Sequence, residues 1–242
     1  MVDSPTRRDG GRMTVVEHLT ELRRRILISL VVVAVGGIVC FIAFETILGY
    51  MTGPYREVTG KRLIFTGALE GFSVRLKVGA YGGMGLGAPF TIFQIWRFVT
   101  PGLYENERRY AIGFLVASIV LFLMGAGLAI VTFPKALSFL LSIGGDSLEP
   151  FLTASSYLSL VSLMILAFGL AFEFPVLIVF LLLIRAVSTV KLRHWRRGAF
   201  VAILVVAAVI TPSQDPITLL ALGIPMYFLY EGAIVVGRLL GR

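Results

Sequence analysis

Charge is scarce in this sequence. Asp, Glu, Lys and Arg account for 15% of its 242 residues, against about 25% in a water-soluble domain of ordinary composition. With 57% of residues hydrophobic, too few polar side chains exist to coat a globule in water. Cysteine is nearly absent. Cys40 stands alone inside an apolar run, which excludes an internal disulfide and leaves it the role of a small apolar side chain. Histidine is limited to His18 and His194, outside the apolar runs and without an acid or thiol cluster, so no metal site is expected. Neither a Walker A sequence nor a Gly-x-Ser-x-Gly elbow occurs, and no nucleophile–base pair stands out. Enzymatic turnover and a bound cofactor are therefore not expected. The net charge of +8 does not point to nucleic acid, because the basic residues form short clusters between apolar runs.

Long apolar runs are what the sequence has in abundance. A hydrocarbon core of about 30 Å takes roughly 20 helical residues to cross. Ile26–Leu48, Val78–Trp96, Tyr110–Phe133 and Tyr157–Ile184 supply 23, 19, 24 and 28 residues. Gly198–Ile210 and Ile217–Tyr230 supply only 13 and 14 before Glu231 intervenes, and Thr211-Pro212-Ser213-Gln214-Asp215-Pro216 between them is rich in turn formers. The expectation is an all-α integral membrane protein of six transmembrane helices, the last two short. Residues 1–12 read as a polar disordered tail and 13–242 as one membrane domain. The Arg7-Arg8 pair lacks the following apolar region of a cleavable signal peptide.

Orientation follows from where the cations fall. Sixteen Lys and Arg residues lie before the first run, between the second and third, between the fourth and fifth, and at the end of the chain. Six lie on the opposite side. The positive-inside rule then places both termini in the cytoplasm of a multi-pass plasma-membrane protein.

Within this frame a few residues carry chemistry. Val15, Val16, Leu19, Leu22 and Ile26 recur at helical spacing, with Glu17, His18, Glu21, Arg24 and Arg25 on the other side, so an amphipathic interfacial helix leads into the first span. Glu21 stands one helical turn before Arg25, and an i,i+4 ion pair is its plain structural reading. Gly79, Gly83 and Gly87 form two small-xxx-small steps, a packing device in lipid. Pro101-Gly102 ends the second span, and Glu105 and Glu107 open the next helix where the macrodipole favours acids. Glu173 interrupts the fourth run near its middle. An acid at such a depth costs about 2.5–3.5 kcal/mol on insertion scales and marks a functional site or a wet cavity, unless it bonds a carbonyl freed by Pro175.

These residues, taken in chain order, resemble the TatC family, the multispanning subunit of the twin-arginine protein translocase. The likeness begins at His18-Leu19-Thr20-Glu21-Leu22-Arg23-Arg24-Arg25 and continues through Gly53-Pro54, Phe98 to Pro101, and Glu107-Arg108-Arg109. Phe168-Gly169-Leu170-Ala171-Phe172-Glu173-Phe174-Pro175, Thr211-Pro212 with Asp215, and Ile224-Pro225 through Tyr230-Glu231 complete it. The resemblance implies a signal-peptide receptor that exports folded proteins using the protonmotive force, in a bacterial or archaeal plasma membrane. It implies single-span TatA or TatB partners, signal peptides with two adjacent arginines, and self-association in the complex. By the same resemblance Glu21 and Glu107 form the recognition site, supported by Phe98 and with Arg23 nearby. Glu173 meets the partners, and Pro54 and Asp215 shape an outer cap. Thr218 and Leu219 stand where the family often has glutamine, and Thr153 where it can carry an acid. A proton-coupled small-solute transporter using Glu173 is the alternative, although no second half mirrors the interrupted helix.

Overall fold

The structure, a computed structural model, describes residues 15–102, 108–144, 152–239 and 241. The polar tail expected at residues 1–12 lies outside them. The described chain is helical, with no strand among the described residues and one isolated parallel bridge between Ile64 and Thr153. Four helical stretches are long and apolar enough to cross a membrane: Val16–Ile42, Ala111–Ser142, Ala154–Leu183 and Pro216–Leu239.

Helix α1 (Val15–Ile42) carries the interfacial segment into the first span without a break. The expected continuation to Leu48 does not hold. The chain turns at Ala43 and begins α2 (Phe44–Thr59), which places Phe44 and Tyr55 in the core and leaves Glu45 exposed, 4.0 Å from Arg75. Pro54 lies inside α2, and α2 ends at Gly60 with φ +65°, a left-handed cap that a β-carbon would strain.

Helix α3 (Glu70–Val99) packs antiparallel to α1, and its glycines set the spacing. A methyl added at Gly83 would stand 2.5 Å from the Val33 carbonyl oxygen and 2.6 Å from the Gly37 nitrogen. At Gly79 it would meet the Gly37 oxygen at 3.1 Å, and at Gly87 the Val33 side chain at 2.7 Å. The sequence stripe is thus a backbone-to-backbone seam. Cys40 packs against Gly82 at its edge and is buried, a small side chain among small ones.

A second seam joins α4 (Ala111–Ser142) to α5 (Ala154–Ala171). Gly125 accommodates the Phe168 backbone and the Phe172 ring, while Gly169 accommodates the Phe122 ring. The exchange of glycine for phenylalanine in both directions brings the helices together around Phe168, which is fully buried. After Phe172 and Glu173 the chain resumes as α6 (Phe174–Leu183), with Pro175 in its first turn, where a missing N–H costs nothing. A short α7 (Thr189–His194) leads to α8 (Arg196–Ile210), which pairs antiparallel with α9 (Pro216–Leu239) through Leu204 over Gly223 and Phe200 against Tyr227.

The expectation of two short final arms is half right. Helix α8 has 15 residues, about 22 Å at 1.5 Å each. Helix α9 has 24 and is not short. Glu231 does not end the apolar helix because its carboxylate is neutralised within the bundle: Arg196 Nη2 donates to it at 2.5 Å and the Tyr227 hydroxyl at 3.3 Å. The helix then continues through Ile234 to Leu239. Outward-facing Val31, Val131, Val209 and Phe228 are exposed, the surface of a protein whose solvent is lipid.

One end of the bundle is closed by a cap. Tyr157 is fully buried and donates its hydroxyl to the Met51 carbonyl of α2 at 2.7 Å, with Tyr55 and Phe133 edge-on to its ring. Glu70 ties the loop before α3 to the start of α5, accepting from the amides of Thr66 at 2.6 Å and Ser155 at 3.1 Å. Those amides, Thr66 foremost and then Ser155, hold its carboxyl down at about 2.

Candidate functional site

The opposite end of the bundle gathers the arginines. There α1 and α3 enclose a concavity of about 710 Å³ whose lining includes Glu17, Thr20, Glu21, Arg24, Gln94 and Arg97. Glu21 is the carboxylate at its wall. Its Oε1 accepts from Arg25 Nη2 at 2.8 Å, the i,i+4 pair anticipated from spacing, and both side chains are largely buried at 19% and 16% exposure. Arg25 reaches further: Nη1 donates to Gln94 Oε1 on α3 at 2.9 Å. Gln94 is itself buried, an amide carried by the helix that the glycine seam presses against α1. Glu21 Oε2 is buried and accepts no hydrogen bond from any described residue. A second concavity of about 400 Å³ adjoins the same Glu21–Arg25 pair and reaches Trp96, Arg97, Thr100 and Arg108.

Phe98 stacks on His18 with ring centroids 4.2 Å apart and an interplanar angle of 16°, so it braces the start of α1 against the end of α3. Arg23 is exposed on α1, on a different side from Glu21. Glu107 lies outside the described residues. Arg108, which follows it in sequence, lines the second concavity.

Glu173 occupies the break between α5 and α6, and Pro175 follows it. The carbonyl-bonding reading of this acid finds no support among the described residues: its Oε1 is buried without a hydrogen-bond partner. Ser118 of α4 is its polar neighbour. The Ser118 hydroxyl accepts from Trp96 Nε1 at 3.0 Å, so a polar track runs from the end of α3 through α4 to Glu173. Trp96 is held by Phe114, stacked at 4.9 Å, and by Phe180, edge-on at 5.6 Å.

Pro54 and Asp215 belong to the opposite end. Asp215 caps α9: Oδ1 accepts from the Thr218 amide at 2.9 Å and Oδ2 from the Thr218 hydroxyl at 2.6 Å. Burial pulls its carboxyl up, but the hydroxyls of Ser213 and Thr218 and the nearby amides outweigh it and hold it below the usual carboxylate range. Thr218 is fully buried and its hydroxyl is spent inside this turn. Thr153 caps α5 by accepting from the Ser156 amide at 3.2 Å. Thr218 and Thr153, one at each departure from the family pattern, thus hold local structure.

Gln94, Trp96 and Ser118 are absent from the expected site. The signal for Gln94 was present, since an amide in an otherwise apolar run needs a partner. Its partner, Arg25, lies 69 residues away and no spacing rule reaches it.

Comparison with known proteins identifies the family of the chain. The family described as Sec-independent protein translocase protein (TatC) matches residues 17–225. The TatC of Frankia casuarinae is 42% identical over 97% of this chain and 68% of its own length. That of Magnetococcus marinus is 38% identical over 92% of this chain and 83% of its own. A crystal structure of the twin-arginine translocase receptor TatC superimposes with a TM-score of 0.77 at 32% identity, covering 93% of this chain and all of that one. The chain is a member of the TatC family of Sec-independent protein translocase proteins, a family of membrane receptors and not of enzymes.

Proposed function

We propose that this chain receives twin-arginine signal peptides in the concavity beside Glu21 and forms the core of the complex that exports their folded cargo. The observation that carries the reading is the Glu21 carboxylate, held in the wall of the concavity with one oxygen buried and lacking a donor among the described residues. A carboxylate accepts a guanidinium through two parallel hydrogen bonds, a geometry that the point charge of lysine does not reproduce. Glu107 supplies the second acid, Phe98 braces the site and Arg23 belongs to its surroundings. The arginine-rich end is then cytoplasmic, with both termini on that side and six crossings in one membrane domain spanning 13–242. Pro54 and Asp215 lie in the outer cap. Glu173, with the Trp96–Ser118 track beside it, meets polar residues of single-span TatA or TatB partners, and the complex holds more than one copy of the chain. The protonmotive force of a bacterial or archaeal plasma membrane drives transport. Solute transport through Glu173 is not favoured, because α5–α6 is the one interrupted span among the described helices and no mirrored half accompanies it.

Photo-crosslinking of a twin-arginine signal peptide to membranes containing Glu21→Lys or Glu107→Lys tests the assignment. Each charge reversal is expected to abolish the crosslink. Undiminished crosslinking in both variants refutes the role of these acids.

A further inference from the structure

The recognition carboxylate is already half occupied. Arg25 presents one Nη to Glu21 at 2.8 Å and the other to Gln94 at 2.9 Å, so its guanidinium is anchored on two helices at once. Gln94 has 4% exposure and sits on the helix that the Gly79–Gly83–Gly87 seam locks to α1, which leaves the anchor little freedom to move away. Only Glu21 Oε2 is left without a described donor. We propose that Arg25, held by Gln94, is an internal competitor for Glu21 that sets the threshold for ligand entry and makes a single guanidinium insufficient.

The proposal rests on the receptor reading of Glu21. An incoming arginine meets a carboxylate with one oxygen taken by a group on the same helix. That group has no translational entropy to lose, so its effective concentration at Glu21 is high. The entrant also meets Arg24 and Arg97 in the same wall, and Arg108 in the adjoining concavity, all of which repel a cation. A ligand with one planar fork finds Oε1 taken by Arg25 and has only the buried Oε2 left to claim. A ligand with two adjacent guanidinium groups can take Oε2 and displace Arg25 from Oε1, or engage a second acid at the same time. The selectivity for paired arginines is then a difference against the chain's own arginine, built by competition as well as by attraction. Arg25 is a specificity-determining residue and Gln94 positions it.

The test titrates two photo-crosslinking peptides against membrane vesicles holding the full chain with its partners. One peptide carries two adjacent arginines; in the other one arginine is replaced by lysine. Arg25→Gln is expected to raise occupancy by the lysine-containing peptide about tenfold while raising the di-arginine peptide less, so the discrimination ratio narrows. Gln94→Leu, which removes one anchor and keeps the charge, is expected to narrow the ratio in the same direction by a smaller factor. If Arg25→Gln weakens both peptides equally, or leaves the ratio unchanged with Gln94→Leu also unchanged, the competitor role is wrong. Glu21→Gln separates the two readings. If it leaves di-arginine crosslinking intact, the receptor reading fails. If it abolishes crosslinking while Arg25→Gln does not narrow the ratio, only the competitor proposal fails.

Discussion

Gly83 is the position where the fold and the recognition site are most directly linked. A β-carbon there would stand 2.5 Å from the Val33 carbonyl oxygen, 2.6 Å from the Gly37 nitrogen and 2.7 Å from the Gly37 α-carbon. All three are backbone atoms, so no side chain can rotate away and the helices must separate. Gly85, two residues on, faces only the end of Leu166 at 4.0 Å. Alanine improves helix propensity by up to about 1 kcal/mol at either position. Subtracting the effect of Gly85→Ala from that of Gly83→Ala therefore isolates the cost of parting α1 from α3. Forcing a methyl into a filled seam costs about 1–3 kcal/mol. For a chain of this size that corresponds to a midpoint difference of roughly 2–4 °C per kcal/mol.

The separation should also reach the site. The Arg25–Gln94 hydrogen bond at 2.9 Å spans the same two helices, and a displacement of about 1 Å takes it beyond hydrogen-bonding range. Gly83→Ala is thus expected to lower the thermal midpoint in micelles and, by loosening the Arg25–Gln94 anchor, to narrow the discrimination between di-arginine and lysine-containing peptides, while Gly85→Ala leaves that ratio unchanged. Thermal scans read by near-ultraviolet signal, with crosslinking on the same preparations, measure both. Midpoints for the two variants that agree within about 1 °C would refute the claim that backbone contact at Gly83 sets the helix spacing.

Three further outcomes follow from other parts of the molecule. The lowered carboxyl of Glu70 stabilises the cap above the ordinary value of 4.5 and loses that contribution as pH falls toward about 2. Protection of the Thr66 and Ser155 amides, read as exchange relative to the intrinsic rate at each pH, should fall over that acid window in the wild type, and Glu70→Gln should abolish the step. Ser118→Ala leaves the buried indole N–H of Trp96 without its acceptor and should cost about 1–3 kcal/mol; adding Trp96→Phe should recover part of the loss in a double-mutant thermal cycle. Arg185 closes α6 in the left-handed region at φ +59° with its side chain exposed, so Arg185→Gly should stabilise by about 0.5–1 kcal/mol after the entropy cost of glycine. A fall in midpoint for that variant would mean that the arginine side chain has a role the conformation does not reveal.

What could be read from the sequence was whatever a short spacing or a composition reports. Apolar length marked three of the four helices that are long and apolar enough to cross a membrane, the Gly79–Gly83–Gly87 stripe marked a close seam, and the one-turn offset of Glu21 and Arg25 anticipated their ion pair. The turn at Ala43 was hidden because Phe44, Ile47 and Leu48 prolong the apolar run with neither glycine nor proline at the break. Gly125 and Gly169 were hidden for another reason: each helix of that seam contributes one glycine, and a repeat needs two. The length of α9 is not legible in the apolar run because Glu231 reads as a charge seeking water, whereas Arg196 and Tyr227 supply its solvation from within. In lipid a polar group in an apolar run must find its partner inside the protein, so Gln94, Ser118, Glu173 and Glu231 each announced a contact without naming it. Three of those contacts form within the chain: Gln94 with Arg25, Ser118 with Trp96, and Glu231 with Arg196. The fourth residue, Glu173, keeps a buried oxygen without a described partner, so the partner contact proposed for it has an unsatisfied acceptor to engage.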